Sequence, residues 1–336
     1  MSVDKERVEW IDIVKGIGII CIVIGHIFMP NTFIHKSMLL FNLPLFFFMS
    51  GFLYKKGQNS RSFITKKAKS LLIPYVAIFL LLYPFVTVFL FSADLSFEQF
   101  KTDALYYLMS GIELRNRMDH IFVAMWFITC LFLVQVLYHF MHKLLSEKQV
   151  HIVTLIMLVA GYYVSTNYKY FFMYWSAQNI LAALPLYHVG YTIKQNMNVL
   201  NKYTIVYYLA GTLSLLSLFV LPKNMYDILV NNYGIPVLTL ACCTIVIVMI
   251  IYISKFIMDY KILSIPLQHI GQASLTIMAF HLPLYAFLWK YFQLSSAIAI
   301  PLMIILPFLL HQAFNQFRIT KFLFLGKTFR KKAIIN

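Results

Sequence analysis

Ten stretches of this chain, each 16 to 21 residues long, are apolar almost without interruption. They run over 10–30, 38–54, 71–91, 121–141, 151–166, 177–193, 203–221, 234–254, 272–291 and 297–317. A backbone immersed in hydrocarbon must satisfy its own N–H and C=O groups, and about 20 helical residues cross the apolar core. Such runs therefore predict an all-α, polytopic transmembrane bundle of about ten spans. Composition closes the other routes. Only 12% of the 336 residues are charged, about half the share of a soluble domain, and disorder needs the opposite balance. The layout expected is a cytosolic N-terminus (1–9), one membrane domain (10–317) and a basic cytosolic tail (318–336). No cleavable leader is expected before the first full-length run.

The net charge of +16 could suggest nucleic acid, but no zinc, helix-turn-helix or RNA-binding signature accompanies it. The basic residues fall between the apolar runs instead. Placing alternate loops on opposite sides puts 21 Lys and Arg, counting Lys15, on the side of both termini. Lys36, Lys101, Arg115, Arg117, Lys169, Lys223 and Lys290 fall on the other. The positive-inside rule then makes both termini cytoplasmic, in a multi-pass protein of the cell membrane. Cys21, Cys130, Cys242 and Cys243 all lie inside apolar runs without ligand spacing, so no metal is expected.

Ionisable groups inside spans are costly and tend to be functional. The first span carries Asp12, Lys15 and His26. Asp12 and Lys15, three apart, share a helix face and can pair. Lys15 and His26, eleven apart, share that face too and stand roughly 16 Å from each other along the axis. One helix thus offers a cation at the cytosolic end and an imidazole near the outer surface. His281 is a second buried-span histidine, while His188 and His311 read as packing residues. In the second span Pro44 can kink the helix, and Asn42, Ser50 and Gly51 add polarity and close approach. Segment 92–120 is too long for a turn and too polar to span; it carries Glu113 and Asp119 among five acids.

Together these segments resemble the acyltransferase 3 family of integral membrane O-acyltransferases. The likeness rests on Asp12, Lys15-x10-His26 and Gly16; on Pro44 to Phe52; and on a basic loop before Pro74-Tyr75. It extends to Trp126-Phe127, Pro185 to Tyr191 and Ser274 to Pro283. It covers about residues 9–318 and looks most like the fucose 4-O-acetylase-like branch. Two positions depart: Lys15 stands where many members have arginine, and Lys66-Lys67-Ala68-Lys69 replaces an Arg-x-x-Arg. Lysine lacks the bidentate fork of arginine.

The resemblance implies transfer of an acyl group, most often acetyl, from cytosolic acyl-CoA to a hydroxyl of a cell-surface or lipid-linked sugar. Acetyl-CoA is the expected donor, with Asp12, Lys15, Lys66, Lys67 and Lys69 on the donor side. His26 is the expected general base, with a transient acyl-histidine as the other route. Its orienting partner must come from elsewhere: Glu113, Asp119 and His281 are candidates, Asn42 or Ser50 can donate to an oxyanion, and Trp126 belongs to the acceptor side. The rival expectation is a transporter or flippase for a lipid-linked glycan or small solute.

Overall fold

The computed structural model of the protein describes residues 9–28, 32–90, 96–110, 122–168, 173–230 and 232–327. Among the described residues there is no β-strand, and helix follows helix along the chain. The first six are α1 (Glu9–Ile27), α2 (Phe33–Phe52), α3 (Ser60–Leu90), α4 (Phe97–Ser110), α5 (Trp126–Leu144) and α6 (Glu147–Asn167). Then come α7 (Ile180–Gln195), α8 (Met197–Val220), α9 (Leu238–Ile257) and α10 (Lys261–Gln272). The last three are α11 (Ser274–Phe292), α12 (Ser296–Gln316) and α13 (Arg318–Leu325).

Each of the ten apolar runs holds one of these helices. Eight helices among the described residues are long and apolar enough to cross a bilayer, or nine if α10 and α11 count as one span. The run that falls short is α7. Its 16 residues reach about 24 Å, against a hydrocarbon core of about 30 Å. A 3-10 turn precedes it, with Trp175 at φ 58° and Ser176 at φ 54°. That backbone cannot continue an α-helix upstream. Segment 92–120 contains α4; Glu113 and Asp119 lie outside the described residues.

Two compact units divide the chain. The first comprises Met1–Lys56, Met141–Phe171 and Gln178–Ser274. Two glycine clasps organise it. A methyl on Gly16 would fall on the Leu267 carbonyl, and one on Gly271 would fall on the Asp12 carbonyl. Likewise Gly51 faces the Tyr187 carbonyl and Gly190 the Phe48 carbonyl. The crossed pairing makes α1 antiparallel to α10 and α2 antiparallel to α7. Between apolar helices in lipid there is little hydrophobic drive, so such close approach and its Cα–H···O contacts carry the association. Further along, Gly18 meets Leu45 and Phe46, and Gly25 meets Met38 and Asn42, which sets α1 antiparallel to α2.

The second unit comprises Gly57–Phe140, Phe172–Ala177 and Leu275–Asn336. Within α3 the backbone widens into π-turns at Ala68–Leu72 and Val86–Leu90. Tyr75 donates its hydroxyl to the Leu108 carbonyl (2.8 Å) and Tyr83 to that of Phe100 (3.3 Å), strapping α4 along α3. Lys290 Nζ caps the end of α3 through the carbonyls of Phe89 (3.0 Å) and Leu90 (2.8 Å), a cation where a helix exposes its last acceptors. The stretch expected as a tail begins with α13. Its Phe324 ring stacks 4.2 Å from Phe314, and Gly326 follows at φ 60° beside Ser70.

Substituting alanine at Gly51 or Gly190 should separate α2 from α7, because each methyl meets backbone that cannot rotate away. A loss of about 1–3 kcal/mol is expected, read as a lowered midpoint of thermal unfolding in detergent. An unchanged midpoint in both variants would show that these helices do not touch at the glycines.

Candidate active site

Burial sorts the three ionisable groups of α1. Asp12 is buried near the start of the helix, with its carboxylate 3.6 Å from Lys15 Nζ. The Lys15 side chain is 31% exposed, enough to meet a ligand while neutralised by Asp12. His26 is in the last turn of α1 and is exposed. The offset of eleven residues from Lys15 to His26 separates a paired cation from an accessible imidazole by roughly 16 Å.

The α1–α2 pairing decides between Asn42 and Ser50. Asn42 is buried, and its amide nitrogen lies beside Gly25, the residue before His26. Its oxygen accepts from the Leu43 N–H at 2.6 Å, which leaves the NH2 group for the side of Gly25. Ser50 lies eight residues on, about 12 Å along the axis, at the other end of α2. Asn42 is therefore brought to the neighbourhood of His26, and Ser50 is not.

A residue not singled out in the sequence holds the end of α1. His35 Nδ1 lies 2.8 Å from the carbonyl of Gly25. A carbonyl only accepts, so Nδ1 carries the proton. The bond satisfies one of the last orphan carbonyls of α1 and tethers the peptide next to His26. Asp227, also missed, lies within electrostatic range of His35 in the loop after α8. Burial raises its pKa above the usual carboxylate value, and His35 acts in the opposite direction. Nothing in local sequence joins residues 192 positions apart; a histidine nine residues after His26 was the only available signal.

At the opposite end of the first unit, His142 sits 4.8 Å from the Tyr191 ring and 5.5 Å from Tyr54. Glu147 Oε1 accepts from Lys56 at 2.6 Å and lies 3.6 Å from His142 Nδ1. That hydrogen bond raises the Lys56 pKa. His151 Nδ1 and His188 Nε2 are 2.7 Å apart, so one donates and the other accepts.

The remaining expected residues belong to the second unit. Lys66 and Lys67 end the first α-turns of α3, and Lys69 lies in its π-turn. Lys69 also lines an open groove of about 810 Å³ with Leu72, Val76, Leu80, Leu323 and Phe324. Trp126 is buried at the start of α5, and its carbonyl accepts from Thr129 at 3.0 Å. His281 is fully buried in α11. Its Nδ1 faces the carbonyls of Ile277 (3.0 Å) and Met278 (2.8 Å). Nδ1 thus carries the proton, and Nε2 is the basic nitrogen.

Among the described residues the structure is all-helical, with several apolar helices long enough to span, which defines a multi-pass membrane protein. Residues 8–313 match the model of the acyltransferase 3 family, described as an acyltransferase domain, and the chain belongs to that family. The family makes it a membrane enzyme that acylates hydroxyl groups. No curated protein and no solved structure matches the chain.

Replacing His35 with alanine should release the Gly25 carbonyl and loosen the last turn of α1. Losing one such bond is worth about 1 kcal/mol. Amide hydrogen exchange at Phe28, whose N–H bonds the Ile24 carbonyl at 3.2 Å, should then quicken several-fold. Unchanged exchange would mean that the bond does not tether α1.

Proposed function

We propose that the protein moves an acetyl group from cytosolic acetyl-CoA to a hydroxyl of a cell-surface or lipid-linked sugar, with His26 as general base. The reading places it in the fucose 4-O-acetylase-like branch of the family, in the cell membrane, with both termini cytoplasmic. The observation that carries it is the exposed His26, next in sequence to Gly25, which the Asn42 amide approaches, on a helix whose other end presents Lys15 next to Asp12. Basic residues concentrated on one side suit a phosphate-bearing donor.

In this mechanism the imidazole of His26 takes the proton of the acceptor hydroxyl. The oxygen forms a bond to the thioester carbonyl carbon. Negative charge collects on the carbonyl oxygen, where the Asn42 NH2 can donate. Collapse breaks the carbon–sulfur bond, and the CoA thiolate leaves with the electron pair. The imidazolium returns its proton to the sulfur, so CoA thiol and the O-acetyl ester are the products. Imidazole suits this exchange because it gains and loses a proton near neutral pH. His35 fixes the backbone beside the base, and Lys15 and Asp12 meet the donor as it comes from the cytosolic side.

The test is release of free thiol from acetyl-CoA by purified protein, with a panel of sugar acceptors. Substituting His26 by alanine should lower the rate at least 100-fold while leaving expression and membrane insertion intact. Near-normal turnover in that variant would remove His26 from the chemistry. Lys15→Ala should raise the apparent KM for donor by about tenfold and leave that for acceptor nearly unchanged, one lost charge contact being worth about 1.4 kcal/mol. An unaltered donor dependence would reduce Lys15 to an anchor of the helix.

A further inference from the structure

Four helix ends meet in the first unit at the end of α1 that carries Asp12 and Lys15. Trp10 comes from the first turn of α1 and Phe52 from the last residue of α2; their rings stand edge to face, 5.7 Å apart. Lys194, at the end of α7, holds its ammonium 5.9 Å from the Phe52 ring. Lys255, near the end of α9, lies 5.6 Å from the Trp10 ring and 5.1 Å from Tyr252.

Two features make this more than a belt of interfacial residues. Lysines at a membrane surface ordinarily reach outward to water. Lys194 and Lys255 instead lie across rings supplied by other helices, and each is part-buried. Neither has an acid within ion-pair distance among the described residues. Lys255 reaches the Asn201 side-chain oxygen at 3.4 Å. The acids of α1 are engaged elsewhere: Glu9 accepts from Gln268 at 3.3 Å, and Asp12 faces Lys15. Lys55 adds a third cation, close enough to Lys194 for the two to repel. Helix C-termini attract cations, which accounts for lysine in a last turn but not for two laid across one aromatic pair. Like charges held near one another are stabilised when an anion joins them.

We propose that this box of Trp10, Phe52, Lys55, Lys194 and Lys255 binds the nucleotide end of the acyl donor. The lysines take its phosphates, and the indole offers a flat surface to the adenine ring. The inference rests on the reading of the protein as a CoA-dependent acyltransferase. Trp10 and Lys15 are five residues apart on α1, about 7.5 Å along the axis. Anionic lipid headgroups share the phosphate chemistry and are the competing source.

The experiment measures CoA binding calorimetrically to the full chain in nanodiscs of phosphatidylcholine, then of phosphatidylglycerol. Wild type should bind CoA in both. The double variant Lys194→Met, Lys255→Met should weaken binding at least tenfold, and Trp10→Leu several-fold, with thermal midpoints unchanged. Photolabelling of wild type with an azido-adenine CoA analogue should mark the peptides carrying Trp10 or Phe52, a readout independent of whether a variant folds. Wild-type affinity in the double variant, or labelling elsewhere alone, overturns the inference and leaves the His26 reading standing. Loss of retained phosphatidylglycerol with CoA affinity unchanged would make the box a lipid site, which also overturns it. No CoA binding or thiol release by wild type would overturn inference and reading together.

Discussion

Backbone-to-backbone contact at paired glycines is the constraint on which the first unit depends. Where Gly16 and Gly271 face the carbonyls of Leu267 and Asp12, and Gly51 and Gly190 those of Tyr187 and Phe48, no side chain separates the helices. That proximity fixes direction as well as distance, since each clasp is crossed and therefore antiparallel. The placement of Asp12 follows, because its own carbonyl is one of the contact points. So does the end of α2, whose Gly51 neighbours Phe52 and thereby sets where the aromatic pair with Trp10 forms. Packing and chemistry share residues here.

The division of labour along α1 has a simple electrostatic logic. Its first turns hold a carboxylate beside a lysine, a pair whose net charge is close to zero. Its last turn holds an imidazole at the end where partial negative charge collects. Between them the helix is apolar and close-packed, with Ile13, Val14, Ile19, Ile22 and Val23 buried. The helix therefore carries a polar group at each end of a dry, packed middle, the arrangement that the proposed reaction between a charged donor on one side and a hydroxyl on the other calls for.

The membrane architecture was legible because hydropathy acts residue by residue. Long uncharged runs can satisfy their backbones only as helices, so every run holds one. Lys15 and His26 were legible because a fixed period puts them on one face. Asn42 and Ser50 could not be ranked that way: both are polar residues of one span, and only the antiparallel register of α1 against α2 brings Asn42 to Gly25. The short α7 was hidden because residues at 177–179 look compatible with helix, while the positive φ of Trp175 and Ser176 is a property of the folded turn. Asp227 and the box around Trp10 and Phe52 were out of reach for a different reason. Their members come from helix ends and loops far apart in the chain, where no period relates them.

The tether between His35 and Gly25 bears on how the enzyme meets acid. The bonding nitrogen already carries its proton, and adding a second proton to the ring leaves it a donor. The tether therefore holds in either charge state of the His35 ring, whereas an imidazole serving as a base, the role proposed for His26, works only when unprotonated. On the role proposed for His26, base and scaffold respond differently to one stimulus, and loss of turnover in acid is a chemical pause that neutralisation reverses, with no refolding of the helix end.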